Sequence, residues 1–187
     1  MYKNNDSYYT QGKFNETLAK EAYFEMMGNF GYPIPENLRQ NIWAVDFALG
    51  RFTEVGMAGI FWINELDGKY FGHEIYLLPG QMIAEHAHVA TDKAGPKMEG
   101  WHVRHGSVYF SGEGEESGEA AKIIPASELK FTTVRNFTYC NPGEIGKLNR
   151  PEAKHFMIGG TDGVIVTEYG SYHDGDGLRF TNPDVSF

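Results

Sequence analysis

Four residues of this sequence have the types and spacing to hold one divalent cation. The stretch Gly80-Gln-Met-Ile-Ala-Glu-His86-Ala-His88 is followed by ten residues and Glu99, then by six residues and Gly106. Histidines at i and i+2 of a strand project to the same face, so the imidazoles of His86 and His88 can reach one ion. Glu99, on the next strand, adds an oxygen donor and offsets positive charge. A third histidine has to come from a distant strand, and His155, shortly after Arg150-Pro151, is placed for it. Three imidazoles and one carboxylate suit a borderline divalent metal ion, manganese foremost, with zinc, cobalt, nickel or iron as alternatives. Four ligands on a six-coordinate ion leave two adjacent positions for substrate or water.

Other titratable residues compete for roles. His73 shares a strand face with Phe71, Ile75 and Leu77, which suits either a satisfied core histidine or a pocket residue of near-neutral pKa. Glu168 alternates with Val164 and Val166, which read as inward, so its side chain is directed into the same interior. Lys97 lies two residues before Glu99. His102 is at an odd offset from Glu99 and should point away; His105, at an even offset, could face inward but deeper, and each reads first as a structural or exposed residue. Trp101 and Tyr109 alternate with Glu99 and are candidates for the cavity wall, although core packing would use the same rings. His173 sits in a polar C-terminal segment and reads as a surface residue.

These side chains need elements that bring them together. Asn15 can cap a helix in which Leu18, Ala22 and Met26 form one stripe, ended by Gly28 and Gly31. A second helix is expected from Pro35, with Leu38, Ile42, Val45 and Leu49 inward and Gly50 as its stop. From Arg51 the pattern changes to short alternating segments, roughly 52–63, 69–78, 82–88, 99–112, 119–124, 130–139, 154–159 and 163–172. Asp-Gly, Pro-Gly, Asn-Pro-Gly and Thr-Asp-Gly punctuate them. Strands at this spacing with no interleaved helices predict an antiparallel sandwich or barrel. The expected organisation is a polar, loosely ordered tail over 1–14, a helical segment over 15–50 packed on the barrel, and the barrel with its C-terminal tail over 51–187. Glu113, Glu115, Glu116 and Glu119 read as a solvated hairpin tip.

Bulk properties narrow the function classes. The chain has 187 residues and a formal charge of −9. That charge repels phosphate backbones, which argues against nucleic acid as a partner. No apolar run has the length of a membrane span, and no signal-peptide pattern opens the sequence. Cys140 is the sole cysteine, so no internal disulfide can form, and a reducing cytoplasm is the simplest compartment. A small neutral substrate fits these properties, and the N-terminal helices are placed to contribute to a homodimer.

The combined pattern of Gly80, His86-x-His88, Glu99, Gly106 and a late Pro-x-x-x-His matches both cupin motifs, apart from a long spacer between His88 and Glu99. The sequence resembles one cupin group in particular, the D-lyxose isomerase-like sugar isomerases, from about residue 38 to the end. The resemblance is carried by Leu49-Gly-Arg-Phe-Thr-Glu-Val-Gly56, Glu74-Ile-Tyr-Leu-Leu-Pro-Gly-Gln81, Glu85-His-Ala-His88, Lys97-Met-Glu99, Gly106-Ser-Val-Tyr109, Gly163-Val-Ile-Val-Thr-Glu168 and Phe180-Thr-Asn-Pro183. It implies a mainly β cupin fold, a double-stranded β-helix or jelly-roll barrel with N-terminal α-helices. It also implies aldose–ketose interconversion, with metal ligands His86, His88, Glu99 and His155. The family's lysine before the glutamate ligand falls on Lys97, and the glutamate of its final barrel strand on Glu168. Where the family carries a pocket lysine before the Pro-Gly turn, this chain has His73. The loop before the last ligand, Gly146-Lys-Leu-Asn-Arg-Pro151, also departs from the family's Ile-Pro-Pro-like run.

Such an isomerase moves a proton between C1 and C2 through a cis-enediolate, whose charge a divalent ion chelated by O1 and O2 would stabilise. Glu168, His73 and Lys97 are the candidate catalytic residues. Two other readings use the same ligand set: a metal-dependent dioxygenase, which favours an apolar cavity, and a non-catalytic sugar-binding cupin. A phosphosugar isomerase ranks lower, because no Gly-rich phosphate loop and few basic residues lie near the site.

Overall fold

Helix α1 (Glu16–Asn29) starts where the sequence places its cap: the Asn15 side chain accepts from the Leu18 amide. It ends at Phe30 and Gly31, the latter at φ 65°. The computed structural model describes residues 3–118 and 120–186. Ahead of α1, a 3-10 turn (Asn5–Tyr8) and a small hairpin of β1 (Tyr9–Thr10) and β2 (Lys13–Phe14) replace the loose tail expected from polarity. Tyr8 is buried against Phe52, and the Tyr9 hydroxyl donates to Asp46, so aromatic anchors hold this polar segment on the fold. Met1 and Tyr2 of the expected tail lie outside the described residues.

The second helix is shorter than expected. Helix α2 covers only Glu36–Asn41. Trp43–Val45, read from the sequence as its continuation, is strand β3. Aromatic and β-branched residues favour a pleated surface, and β3 pairs with β4 (Met57–Glu65).

The remaining strands are β5 (Tyr70–Leu77), β6 (His86–His88), β7 (Glu99–Gly112), β8 (Asn136–Cys140), β9 (Ile145–Lys147), β10 (Phe156–Gly170) and β11 (Leu178–Phe180). The segment expected as a strand over 119–124 contains one turn of helix, α3 (Ala120–Ile123), in keeping with its helix-forming Ala-Ala-Lys run. Residue 119 lies outside the described residues. The segments 154–159 and 163–172 merge into the single long β10, with a register shift between Gly159 and Val164 where a turn was expected.

The large sheet is antiparallel, in the order β3-β4-β5-β10-β7-β8, with β9 also on β7. Strands β6 and β11 form a second antiparallel pair. The chain leading into β6 closes the structure against the start of β10: Ile83 N donates to Met157 O, and His86 and His155 exchange backbone hydrogen bonds. This is the mainly β, cupin-type arrangement with N-terminal helices. One apolar cluster, including Met57, Ile75, Leu77, Val103, Val108, Val164 and Val166, fills the interior between the sheets. A second, including Tyr23, Met26, Met27, Ile60, Tyr76 and Ile165, seals the helical segment to the outer face. Gly106 occupies a φ of 72°, and a Cβ there would lie 2.0 Å from the Gly163 carbonyl oxygen, so only glycine fits this strand crossing.

No helix among the described residues is long and apolar enough to cross a membrane.

Candidate metal centre

The antiparallel bridge between His86 and His155 joins two histidines far apart in sequence. His86 N donates to His155 O at 3.0 Å, and His155 N to His86 O at 2.9 Å. Their rings lie 4.3 Å apart between centroids, with the His88 ring 5.0 Å from that of His86. One ligand nitrogen from each of His86, His88 and His155 lies within 4.8 Å of the others. Backbone carbonyls fix two of the rings. The Nδ1–H of His86 donates to Ala84 O at 2.8 Å, and that of His155 to Ala153 O at 2.9 Å. A carbonyl can only accept, so in the neutral form of both rings the lone pair is left on Nε2, the state a metal ligand requires.

Glu99 begins β7 beside this group. Its Oε1 lies 3.2 Å from His88 Nε2 and its Oε2 3.0 Å from His155 Nε2. Oε2 is nevertheless buried without an aligned hydrogen bond. A buried carboxylate oxygen left unpaired is costly, and an ion shared with the neighbouring nitrogens would relieve that cost. The residues therefore fit a divalent ion, with His86, His88, Glu99 and His155 as the set that would hold it. Burial, with His155 and His88 nearby, holds the His86 pKa well below its usual value. Burial also acts to lower the His155 pKa, but the Glu99 carboxylate outweighs it and the net direction is up. Burial would raise the Glu99 pKa; Lys97 and His88 overcome it and hold the group ionised well below the usual carboxylate range.

Residues outside this set aim it. Glu85, immediately before His86, is buried and accepts from the amides of Thr133 and Val134 and the hydroxyls of Thr133 and Thr181. It ties the loop before β8 and the chain after β11 to the strand carrying the histidines. Within Glu85-His-x-His the sequence shows a carboxylate beside the histidines but does not reveal its partners.

A second polar chain adjoins the first. Lys97 Nζ lies 2.6 Å from Glu99 Oε1 and 2.5 Å from Glu168 Oε1, and sits 3.9 Å from the centre of the Phe71 ring. The other Glu168 oxygen lies 2.9 Å from His73 Nδ1. Lys97, Glu168 and His73 are each 4% exposed. Strand register brings them together, because Glu168 on β10 is opposite His73 on β5. Burial alone would lower the Lys97 pKa; the charges of Glu168 and Glu99 outweigh it, so the ammonium is retained. His73 also packs nearly parallel to the Trp43 ring, with Phe61 and Phe71 against it.

Both polar groups open onto one cavity, whose walls include Trp43, Phe47, Phe61, Phe71, Trp101 and Phe180. Trp101 lines it, as the strand alternation suggests. Tyr109 does not: it packs on Phe137 and Tyr139 outside. His105 likewise faces out, against Phe30 and Tyr32 of the N-terminal segment. Both departures have one cause. Ile165 pairs with His105 but Val166 with Val103, so Arg104 forms a bulge that reverses the inward parity beyond it. His102 lies on the outer side of β7, half-buried, near Arg104. His173 is not a surface residue: it lines the cavity, its ring edge-on to that of His88. Burial, then the Lys97 and His88 charges, push its pKa down to about 3.

No family model matches the chain. It is 29% identical over 166 residues to the D-lyxose/D-mannose isomerase of Thermosediminibacter oceani, covering 89% of this chain and 90% of that protein. It is also 29% identical over 167 residues to the D-lyxose ketol-isomerase of Cohnella laeviribosi, covering 89% and 90%. Among solved structures, the L-ribose isomerase of Acinetobacter sp. DL28 in complex with L-ribose superposes with a TM-score of 0.68. That match is 13% identical and covers 90% of this chain and 91% of the other. At that identity the structural likeness is one of fold.

Proposed function

We propose that this protein is a metal-dependent aldose–ketose isomerase for an unphosphorylated sugar of the D-lyxose type, with His86, His88, Glu99 and His155 holding one divalent ion, manganese foremost. The observation that carries the reading is the buried chain His73–Glu168–Lys97, joined to the histidine cluster through Glu99. Similarity to the D-lyxose isomerases along nearly the whole chain supports the substrate class.

When bound, the ion would supply Lewis-acid polarisation of the sugar's carbonyl and hydroxyl oxygens. The protein's own groups move the proton. The Glu168 carboxylate takes the proton from C2 of the open-chain aldose, and the electron pair left behind forms the C1–C2 double bond of the enediolate. The same carboxyl then returns a proton to C1, while the hydroxyl proton passes from O2 to O1, giving the ketose. Lys97 and His73 each hold one Glu168 oxygen and so fix its direction. Lys97 also balances the charge of Glu99 and Glu168, which would otherwise repel as buried carboxylates. The aromatic walls shelter the enediolate and so limit its stray protonation by water.

An oxygenase would favour an apolar interior around the ion. Here the buried Lys97–Glu168 ion pair, with His73 hydrogen-bonded to it, lies beside the ligand set, which favours proton transfer. Among the described residues, the only cationic side chain lining the cavity besides its histidines is Lys97, and it is already engaged by two carboxylates, so a sugar phosphate would find no free partner. The test is to strip metal, restore manganese, cobalt, nickel, zinc or iron singly, and screen D-lyxose, D-mannose and other aldoses for ketose formation. Ketose formation dependent on bound metal is expected. No ketose from any aldopentose or aldohexose, at full occupancy with each metal, would sink the proposal.

A further inference from the structure

His173 is a polar side chain of the cavity that neither of these groups uses. It comes from the irregular segment between β10 and β11, yet it is held with unusual care for such a segment. Asn64, on β4, clamps its backbone at both ends: the His173 amide donates to Asn64 Oδ1 at 2.9 Å, and Asn64 Nδ2 donates to the His173 carbonyl at 3.0 Å. The next residue, Asp174, accepts from the Thr91 hydroxyl at 2.7 Å, fixing the chain from the other side. The imidazole lies nearly parallel to Phe61 and Phe71, at 5.5 and 5.6 Å between centroids, and edge-on to His88 at 5.5 Å. Its position is thus over-determined, while its Nδ1 is buried with no hydrogen-bond partner. A fixed ring with a buried unpaired nitrogen costs stability unless something completes it.

We propose that His173 is a substrate-binding residue that hydrogen-bonds a hydroxyl of the sugar's tail and so sets which sugars the cavity accepts. This rests on the isomerase reading above. A sugar presenting its carbonyl end to the histidine–carboxylate cluster must run its remaining carbons past neighbouring side chains. Around His173 those are Phe61 and Phe71, which offer apolar faces to C–H groups but nothing to an O–H. Among the described residues, the other polar groups of the lining are the indole N–H groups of Trp43 and Trp101, the metal-ligand set and the His73–Glu168–Lys97 chain. A pre-positioned polar group held between aromatic rings discriminates among ligands, because one without the matching hydroxyl leaves that group unpaired.

The test compares wild-type protein with H173F, which keeps the aromatic packing and removes the nitrogens, and with H173Q, which keeps a hydrogen-bonding group. N64A, which releases the backbone clamp, is the positioning control. Each is loaded with manganese, checked for metal content and melting temperature, and assayed in two ways. One is KM and kcat with D-lyxose; the other is calorimetric binding of D-arabinitol, the reduced sugar that cannot isomerise. The expected result is a KM about tenfold higher and arabinitol binding about tenfold weaker for H173F, with kcat changed much less, partial recovery in H173Q and an intermediate loss in N64A. Unchanged KM and arabinitol binding in a folded, metal-replete H173F overturns the inference even where the wild type isomerises sugars. If the wild type isomerises none, tenfold weaker arabinitol binding by H173F still supports His173 as the sugar contact while the isomerase reading falls. A wild type that binds no arabinitol and isomerises no sugar overturns both.

Discussion

Replacing Lys97 with methionine isolates the role of one ammonium group. Methionine fills nearly the volume of the lysine stem and can keep its packing on Phe71, but it leaves Glu99 and Glu168 without the cation between them. Glu99 is 6% exposed and Glu168 4%, so solvent screens neither well. Removing one partner of a buried ion pair typically costs about 3–5 kcal/mol. In a chain of this length each kcal/mol shifts the melting temperature by roughly 2–4 °C, so metal-free K97M should melt about 6–20 °C below metal-free wild type. A bound divalent ion restores positive charge at Glu99, so the gap between variant and wild type should narrow on loading. Lys97 also repels an incoming cation, so its removal should leave metal affinity no weaker than in wild type. Scanning calorimetry with chelator and then with manganese reads all three effects. Metal-free K97M melting within about 2 °C of wild type, or a gap that widens on loading, would refute the assigned charge balance.

Three further outcomes follow from the same geometry. E168Q keeps the contacts of Glu168 in shape but removes the proton acceptor, so ketose formation should fall by about 10²–10⁴-fold with metal content unchanged; retained turnover would exclude Glu168 as the base. In G59A the new Cβ would lie 2.2 Å from His73 Nε2 and 2.7 Å from Trp43 Cζ2, so the histidine must move. A loss of about 1–3 kcal/mol in urea unfolding is expected, with a fall in kcat, because His73 no longer supports Glu168; wild-type stability would show that β4 yields freely. Metal binding needs neutral His155, whose pKa is raised because Glu99 outweighs the effect of burial. Below that pKa each ion displaces a proton there: affinity is full above the raised pKa and falls as pH drops through it, by at most about tenfold per unit for this one proton. Chelator competition at pH 8, 7 and 6 measures this, and a flat profile would contradict it.

What the sequence reveals of this site is what depends on periodicity. His86 and His88 share a face because they are two apart in a strand. His73 and Glu168 read as inward because their neighbours Phe71, Ile75, Val164 and Val166 do. The failures mark where periodicity breaks. The bulge at Arg104 leaves no signature in the local alternation, so strict alternation would put His105 and Tyr109 on the inner face although both lie outside. His173 lies in a segment with no regular structure, whose course is set by Asn64 and Thr91, both distant in sequence. The 43–45 segment shows helical spacing, but pairing with β4 outweighs it. The likeness to D-lyxose isomerases extends over nearly the whole chain, yet it could not show that Lys97 bridges two carboxylates, because that depends on side-chain reach across strands.

The central claim is that a carboxylate held between Lys97 and His73 carries a proton between two carbons of a sugar beside the histidine cluster. It is tested most directly by incubating the manganese-loaded protein with D-lyxose deuterated at C2 and following the label by NMR. Transfer through the Glu168 carboxyl predicts ketose in which part of the deuterium has been lost to water, and no such product from E168Q. Complete retention of the label at C1, with ketose still formed by E168Q, would point to a direct hydride shift and would contradict the account.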